Sequence, residues 1–434
     1  MQDDPRGAHG PDGAEAAAHG NQLQRGFGEG SSSGVDHHVS VVGEAKYLSD
    51  GGPETIRFID QNGFRIRNEV NLPYDPWVDV LTEQDGRDLY RDMALIRRFD
   101  AEGTALQRQG ELGLWPSLLG QEAAQVGIGR AMKPQDYAFP SYREHGVAYC
   151  RDVDPLHIYG MFRGVDNGAW DPKERNFHLY TIVIGNQALQ AVGYAMGVQR
   201  DGDYGTGDPS RDTAVVTFFG DGATSQGDIN ESFVFAAVNQ CPIVFFCQNN
   251  QWAISERNER QTQIPLYQRA RGFGFPGVRV DGNDVLAVYA VAQHALEWAR
   301  SGQGPFLIEA YTYRMAPHTT SDDPSKYRDS AEVDLWRDRD PLLRLKSFLL
   351  SLHETEESFF TGVDAEADEL AARLRAGVQA MTDPPPSSMF DHVYVEPHPG
   401  LEAEKAAFLA YHASFTDSAG DTAADVASGS GAQA

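Results

Sequence analysis

Short apolar runs and amphipathic stretches alternate along the middle of this chain. Three runs are rich in β-branched and aromatic residues, as buried strands are: residues 213–219 (TAVVTFF), 243–247 (IVFFC) and 305–310 (PFLIEA). An amphipathic helical stretch follows each of them: residues 229–239, 284–300 and 340–380. Strand–helix–strand units with buried strands predict a parallel sheet with helices on both faces, which is a three-layer α/β fold.

A longer helix is predicted upstream of this region. Thr82 and Asp85 have the spacing of an N-terminal capping box, in which each side chain accepts a hydrogen bond from the other residue's backbone N–H. After them, Leu89, Met93 and Ile96 recur at helical spacing. We interpret this helix as part of the core.

Composition divides the chain into three parts. Residues 1–45 are rich in Gly, Ala, Ser, His and Asp and have no apolar period, so a disordered N-terminal tail is expected there. Residues 46–395 are predicted to form the α/β domain, with a helical region at its C-terminal end. Residues 396–434 are predicted to form a C-terminal helix and a flexible tail.

The charge balance limits the possible partners. The 434 residues include 63 acidic and 36 basic side chains, for a net charge of −27. This balance argues against nucleic acid as a partner, because phosphate binding needs a basic surface. No apolar run reaches the roughly 18 residues of a membrane-spanning helix. The acidic N-terminus also lacks the features of a targeting signal, so we expect a cytoplasmic protein.

The three cysteines, Cys150, Cys241 and Cys247, follow no metal-ligand spacing. Their number is odd and the chain is long, which predicts buried thiols in a reducing compartment. A disulfide framework is therefore not expected.

The segment with the clearest chemical signal is GDGATSQGDINESFVFAAVNQCPIVFFCQNNQW, at positions 220–252. Its first glycines follow a predicted strand, where glycine lets the backbone approach a ligand closely, and the next helix begins with N–H groups suited to a phosphate. Asp221 lies between those glycines. Asn249 and Asn250 end the neighbouring predicted strand, so their amide oxygens can face Asp221 at the carboxyl edge of a parallel sheet.

Such a set of oxygen atoms suits a metal ion that bridges a diphosphate. Mg²⁺ favours few protein ligands together with phosphate oxygens, and one carboxylate, one amide oxygen and one backbone carbonyl would satisfy it. A nicotinamide-binding Rossmann turn is the nearest alternative, but it requires GxGxxG and an acidic residue at the end of the second strand. Here that strand ends in two asparagines, which counts against the alternative.

The GDG…NN pattern resembles the thiamine-diphosphate motif. Over about residues 82–336 the chain resembles the α subunits of the pyruvate and branched-chain 2-oxo acid dehydrogenases. Six blocks occur in the order found in that family: LQRQGELGLWPSLLGQEAAQVG (106–127), PSYREHG (140–146), QALQAVGYAMG (187–197), NNQWAIS (249–255), VDGNDVLAVY (280–289) and YRMAPHTTSDDPSKYR (313–328). The resemblance implies the thiamine-diphosphate-binding fold, with thiamine diphosphate and Mg²⁺ as cofactors.

The resemblance also implies roles for individual residues. Asp221, Asn250 and the carbonyl of Trp252 match the Mg²⁺ ligands of the family. The positions implied to bind the cofactor are Tyr142, Arg143, Ile184, Asp221, Gly222, Ala223, Gln248, Asn250 and His318. His318 is also the implied catalytic residue, because an imidazole can contact the diphosphate and handle a proton near neutral pH.

Several of these positions have a specific expected contact. Tyr142 and Arg143 are expected to contact the diphosphate, and Arg suits that role because its guanidinium makes charge-assisted bonds to phosphate. Gly222 and Ala223 would present backbone N–H groups to phosphate, and the backbone of Ile184 would hold the aminopyrimidine ring. Some relatives have Arg at the position of Gln248, so that phosphate contact is expected to be neutral here or supplied elsewhere.

These matches predict the α subunit of a 2-oxoisovalerate (branched-chain 2-oxo acid) dehydrogenase. It would decarboxylate the small 2-oxo acid and acylate the lipoyl-lysine of an acyltransferase component. In this family a β subunit supplies the carboxylate that activates the aminopyrimidine, so an α₂β₂ assembly is expected and the chain alone should be inactive.

The substrate is less well determined by the sequence. Many pyruvate-type chains have a Gly between the Ser and the Asp pair of the His318 block, and this chain lacks it, which favours branched-chain acids. The α subunit of pyruvate dehydrogenase is the alternative. Leu114 and Trp115 are expected to line the acyl pocket. A non-catalytic Mg–diphosphate scaffold is a third interpretation. Such a scaffold would not need Arg143 and His318, and the presence of both residues counts against it.

Overall fold

The computed structural model describes residues 54–353 and 355–428, and for 416–428 it describes the helix but not the side chains. The tail predicted at residues 1–45 lies outside the described residues. The strands, in chain order, are β1 Tyr137–Phe139, β2 Val215–Gly220, β3 Ile243–Asn249, β4 Trp252–Ala253, β5 Glu256–Arg257, β6 Gly277–Asp281 and β7 Phe306–Tyr311. Five of them form a central parallel sheet, in the order β1–β2–β3–β7–β6. The short strands β4 and β5 pair only with each other, antiparallel.

Helices surround the sheet. In chain order they are α1 Asp75–Asp79, α2 Glu83–Arg108, α3 Glu122–Ala131, α4 His145–Cys150, α5 Pro155–Arg163, α6 Pro172–Arg175, α7 Asn186–Asp201, α8 Gly227–Asn239, α9 Gln268–Phe273, α10 Val285–Arg300, α11 Ser330–Arg337, α12 Pro341–Ser351, α13 Glu357–Ala380 and α14 Pro399–Ser428. Short 3₁₀ turns occur at Asp221–Ser225, Asn258–Arg260, Pro324–Lys326 and Pro386–Phe390.

The two faces of the sheet are buried against different helices. Along β2, Val216 and Phe218 belong to a core that includes residues of α2, α3 and α10. Val215 and Phe219 point to the other face and pack in a second core with residues of α7 and α8. Because side chains alternate along a strand, both faces of a central strand become hydrophobic when both are covered. The predicted three-layer α/β fold with a parallel sheet is confirmed.

The capping box predicted at the start of α2 is present. The Thr82 side chain accepts a hydrogen bond from the backbone N–H of Asp85, and the Asp85 side chain accepts one from the backbone N–H of Thr82 at 2.7 Å. The helix buries Leu89, Met93 and Ile96 as the spacing predicted. The capping box therefore determines where the longest core helix begins.

The C-terminal region differs from the core in burial. Two helices, α12 and α13, occupy the predicted helical stretch, and both bury apolar residues. Residues 382–415, by contrast, include no buried residue, and the contacts of α14 are mainly with the 3₁₀ turn Pro386–Phe390. The domain boundary proposed at residue 395 stays a prediction.

Two further sequence expectations concern cysteines and membranes. All three cysteines are buried free thiols, as predicted. Among the described residues, none of the helices is long and apolar enough to cross a membrane.

Candidate active site

A cavity of about 380 Å³ lies where β2, β3 and β7 end. The residues that lead out of these strands, such as Asp221, Asn250 and Arg314, contribute to its wall. The cavity wall contains every residue predicted to bind the cofactor or the metal ion: Tyr142, Arg143, Ile184, Asp221, Gly222, Ala223, Gln248, Asn250, Trp252 and His318. Five segments distant in sequence are thus brought together, although the roles of the residues stay predictions.

The register of the sheet explains why Asp221 and Asn250 share this cavity. Strands β2 and β3 are parallel neighbours, and Gly220 pairs with Gln248. Asp221 therefore follows its strand by one residue at the same edge where Asn250 follows the other. This edge is where ligands bind in open α/β sheets.

Asp221 is a buried carboxylate. Its exposed fraction is 1%, and its side-chain partner is the Gln261 amide, whose Nε2 lies 3.3 Å from Asp221 Oδ2. Among the described residues, no basic side chain forms an ion pair with it. Burial raises the pKa of Asp221 to about 7, because a charged carboxylate is poorly solvated there. A cation beside this carboxylate would compensate the charge.

The two asparagines of the NN pair have different surroundings. The Asn249 side chain points away from the cavity, and its Nδ2 donates to the Glu309 carboxylate at 2.6 Å. The next residue, Asn250, lines the cavity, since side chains at adjacent strand positions point to opposite sides. Gln251 has a positive φ of 69°, which reverses the chain so that Trp252 returns to the cavity. Positive φ at a non-glycine residue is costly and is often found at functional sites.

The backbone carbonyl of Trp252, an implied metal ligand, already accepts one hydrogen bond. The donor is Arg314 Nη1, at 3.0 Å. A carbonyl oxygen has two lone pairs, so one is left for a further partner. Arg314 also donates to the carbonyl of Ile254 at 2.7 Å and thus fixes the chain on both sides of Ala253.

Two buried guanidiniums face the same imidazole. Arg143 Nη2 and Arg314 Nη1 each lie 3.3 Å from His318 Nδ1. Arg143 also donates to the carbonyls of His318, at 2.9 Å, and Ser117. Neither arginine forms an ion pair with a carboxylate in the part of the chain that the structure describes. Burial and the neighbouring Arg143 lower the pKa of Arg314 to about 10. Two guanidiniums that lack an ion-pair partner among the described residues favour an anionic ligand at this cavity.

His318 is held as a neutral imidazole. Burial, followed by the charges of Arg143 and Arg314, lowers its pKa from 6.5 to about 3. Its ring also contacts Tyr142 edge-on, with the ring centroids 6.1 Å apart. The imidazole is therefore a hydrogen-bonding group, and not a cation, at neutral pH in the ligand-free chain.

This shift predicts how stability depends on pH. The unfolded chain binds a proton at His318 as the pH falls through about 6.5, whereas the folded chain does not do so until about pH 3, so His318 makes the fold less stable as the pH falls through this window. Between pH 7 and pH 4.5, the unfolding free energy of His318→Gln should fall less than that of wild type. The difference should be roughly 1 kcal/mol or less per pH unit, because the ring is partly solvated. Denaturant unfolding at several pH values measures this. Parallel pH curves for both proteins would contradict it.

The remaining predicted positions line the cavity in different ways. A Cβ at Gly222 would lie 2.6 Å from the Cβ of Ala253, so glycine is required there by the returning chain after β3. Ile184 is 42% exposed beside Gly185, whose φ is +87°. The polar atoms of Gln248 are used within the protein: Nε2 donates to Glu144 at 2.6 Å, and Oε1 accepts from Gln125 at 3.1 Å. Gln248 therefore orients its neighbours, which leaves little capacity for the predicted contact with a phosphate.

One predicted pocket residue is misplaced, and several cavity residues were not predicted, among them two polar ones with contacts to the predicted site. Leu114 lines the cavity as expected, but Trp115 is fully buried behind it, where its Nε1 donates to Asp100 at 2.9 Å. The expectation that Trp115 lines the acyl pocket is wrong. The hydrogen bond from its indole N–H to buried Asp100 holds the ring in the core instead. Gln121 and Arg314 line the cavity without having been singled out, although both lie in the matched blocks.

Comparison with known proteins identifies the family of this chain. Residues 90–380 match the model of the family described as the dehydrogenase E1 component. The chain belongs to the dehydrogenase E1 component family. The match covers the five-stranded sheet and every residue predicted to bind the cofactor or the metal ion.

Curated relatives of this E1 chain support the assignment. It is 44% identical over 326 residues to the 3-methyl-2-oxobutanoate dehydrogenase subunit alpha of Mycobacterium tuberculosis, an alignment that covers 75% of this chain and 87% of the relative. It is 35% identical to the pyruvate dehydrogenase E1 component subunit alpha of Acholeplasma laidlawii (80% of this chain, 96% of the relative) and of Staphylococcus aureus (75% and 83%). The relatives are α subunits of 2-oxo acid dehydrogenases, so the E1 chain is an oxidoreductase subunit, and family membership implies use of thiamine diphosphate.

Proposed function

We propose that this E1 chain is the α subunit of a branched-chain 2-oxo acid dehydrogenase, which decarboxylates 2-oxoisovalerate and related acids and acylates a lipoyl-lysine. The observation that carries the proposal is the single cavity that contains all the predicted cofactor positions. The 44% identity to a 3-methyl-2-oxobutanoate dehydrogenase α subunit supports the substrate class.

The cavity residues fit a Mg²⁺-bridged diphosphate in charge and in atom type. Asp221 supplies a buried carboxylate that has no ion-pair partner among the described residues, and the amide of Asn250 and the carbonyl of Trp252 add neutral oxygens. These are the hard ligands that Mg²⁺ prefers. Arg143 and Arg314 supply positive charge for the diphosphate oxygens. In this proposal Asp221, Asn250 and Trp252 hold the metal ion.

The chain's own residues contribute binding, orientation and proton handling. Thiamine diphosphate, when bound, supplies an acidic carbon and an electron sink for loss of carbon dioxide from a 2-oxo acid. Arg143 would hold the diphosphate, and through its contacts with the ring and carbonyl of His318 it fixes the imidazole. His318 Nδ1 accepts from the two guanidiniums, which can only donate, so the neutral ring carries its proton on Nε2. In this proposal the imidazole supports acyl transfer as a hydrogen-bonding group.

Apolar residues at the cavity support the substrate class and the partner. Leu114, Phe162 and Ile182 line the cavity and offer contacts for a branched aliphatic chain. Leu114, Ile182, Ile184 and Ile254 are also between 42% and 62% exposed, which is unusual for a cluster of large apolar side chains. A β subunit that covers this rim would bury it and complete the site, as in the proposed α₂β₂ assembly; an acyltransferase component with lipoyl-lysine is the proposed acceptor.

The substrate proposal makes a quantitative prediction. The full chain, co-expressed with the β subunit of the same enzyme, should turn over 2-oxoisovalerate with a kcat/KM at least about tenfold above that for pyruvate, because each extra methylene in a fitted apolar pocket contributes about 1–3 kcal/mol. Decarboxylation coupled to an artificial electron acceptor measures both.

Two results would contradict this proposal in different ways. Equal or higher kcat/KM for pyruvate would favour the pyruvate dehydrogenase α subunit, the name carried by the relatives at 35% identity. Silence on every 2-oxo acid, in a complex that still binds Mg²⁺ and thiamine diphosphate, would favour a non-catalytic scaffold. The same complex with Asp221→Asn controls for contaminating host enzymes.

A further inference from the structure

Gln121 lies in the wall of the cavity and is fully buried. It precedes α3 at the N-cap position, and the residues before it are fixed against the end of β7. Gly120 has a φ of +93°, and a Cβ there would lie 2.5 Å from the carbonyl oxygen of Tyr313. Thr312 Oγ1 also donates to the Gly120 carbonyl at 2.7 Å. The backbone of Gln121 therefore has little freedom to move.

The Gln121 amide has one contact, and it is to a proposed metal ligand. Its Oε1 accepts a hydrogen bond from Asn250 Nδ2 at 3.1 Å. Its Nε2 is buried and has no hydrogen-bond partner. Asn250 Oδ1, in turn, accepts from the backbone N–H of Trp252 at 3.3 Å, which leaves a second lone pair on that oxygen.

We propose that Gln121 is a positioning residue that determines which end of the Asn250 amide faces the metal ion. The oxygen and nitrogen ends of an asparagine amide have almost the same shape, so hydrogen-bond partners choose between them. The Trp252 N–H donates to Oδ1 only weakly, at 3.3 Å, and Gln121 Oε1 is the partner of Nδ2. A rotation of half a turn would present an NH₂ group to Mg²⁺ and remove one oxygen ligand. Gln121 Oε1 prevents this rotation because it accepts a bond from Nδ2 and would repel Oδ1. This inference rests on the proposed metal site.

A purely structural role would explain the observations less well. A buried amide in a core normally has partners for both its ends, since an unpaired polar group costs free energy. Gln121 leaves Nε2 unpaired inside the proposed diphosphate cavity, where a phosphate oxygen can accept from it. Partners of metal ligands typically change metal affinity 10–100-fold when they are replaced.

The test compares Gln121→Met, which cannot accept a hydrogen bond from Asn250, with Gln121→Glu, which can. Full-length chain co-purified with its β subunit is titrated with Mg²⁺ at saturating thiamine diphosphate. Intrinsic tryptophan fluorescence, to which the cavity residue Trp252 contributes, reports binding. Mn²⁺ binding by electron paramagnetic resonance gives the metal affinity independently of activity. We expect Gln121→Met to weaken metal binding 10–100-fold. Gln121→Glu should weaken it less, because it keeps the acceptor for Asn250 Nδ2 although it loses the Nε2 donor.

A double-mutant cycle tests the orientation mechanism itself. Asn250→Asp presents an oxygen whichever way the side chain turns, so Gln121→Met should have less than about a threefold effect in that background. Gln109→Met, on an exposed glutamine after α2, is the matched control and should bind like wild type. Gln121→Leu replaces Gln121→Met if the latter does not fold.

Three results would overturn the inference. The first is wild-type metal affinity in Gln121→Met, the second is an equal loss in Gln121→Glu, and the third is an unchanged cost of Gln121→Met in the Asn250→Asp background. Failure of the wild-type complex to bind Mg²⁺ with thiamine diphosphate would instead overturn the proposed function, and this inference with it.

Discussion

Asp221→Asn should abolish metal-dependent binding of thiamine diphosphate and, with it, the activity of the assembled enzyme. The substitution keeps the shape of the side chain and removes its charge, and that charge is the only full negative one among the three proposed ligands. Metal affinity should fall by at least about 100-fold, because even indirect partners of metal ligands are worth 10–100-fold. Calorimetric titration with Mg²⁺ at saturating cofactor measures the loss.

If Asp221 had a structural role instead, Asp221→Asn would destabilise the fold even without metal. Stability in metal-free buffer therefore distinguishes the two roles. A buried charge without an ion pair costs stability, so in metal-free buffer Asp221→Asn should be at least as stable as wild type. Asp201→Asn, at an exposed position at the end of α7, controls for the loss of one negative charge. A metal-free Asp221→Asn protein that melts well below wild type, or that binds Mg²⁺ normally, contradicts the assignment.

Arg143→Met should weaken binding of the Mg²⁺–thiamine diphosphate pair by about 100-fold or more. Arg143 is 5% exposed and has no carboxylate partner in the described part of the chain, so its charge is available to an anion. Hydrogen bonds to charged groups contribute about 1.5–3 kcal/mol each, and a guanidinium can make two to a diphosphate. Arg143→Lys should recover part of the affinity, because it keeps the charge but not the fork of donors. Cofactor titration of the three proteins measures this.

The imidazole of His318 gives a second measurement on the same variants. Arg143 lowers the pKa of His318, so Arg143→Met should raise it in the cofactor-free protein, which an NMR titration of the ring can follow. Arg211→Met, which removes an exposed arginine paired with Asp203, should change neither quantity. Normal cofactor affinity in Arg143→Met would contradict the role of this residue in the anion site.

Much of the fold follows from the sequence because the central strands are buried on both faces. Strands β2, β3 and β7 are continuous apolar runs, and their positions were predicted to within about two residues. The edge strands β1 and β6 were not predicted. Strand β1 has three residues, and β6 includes Arg279 and Asp281, whose charges are paired in three dimensions with residues distant in sequence. A period of apolar residues cannot reveal such strands.

Site residues could be predicted where the spacing of residues within one segment indicates their role. They could not be predicted where the role depends on contacts between distant segments. The GDG…NN spacing correctly indicated two adjacent strand ends, but only the register shows that Asn250 faces the cavity while Asn249 binds Glu309. Trp115 was misjudged because its partner, Asp100, lies on another element. Gln121 and Arg314 carry no local signal, since their importance comes from side chains far away in sequence.

The paired guanidiniums beside His318 link ligand binding to the rate at which the subunit is degraded. A bound anion relieves the mutual repulsion of Arg143 and Arg314. By mass action, a diphosphate ligand at a free concentration 100 times its dissociation constant stabilises the folded chain by about 2.7 kcal/mol. Cellular proteases degrade chains from their opened forms, and a difference of this size changes steady-state abundance several-fold. A subunit without bound cofactor should therefore be degraded faster than a subunit that holds it, even with unchanged synthesis.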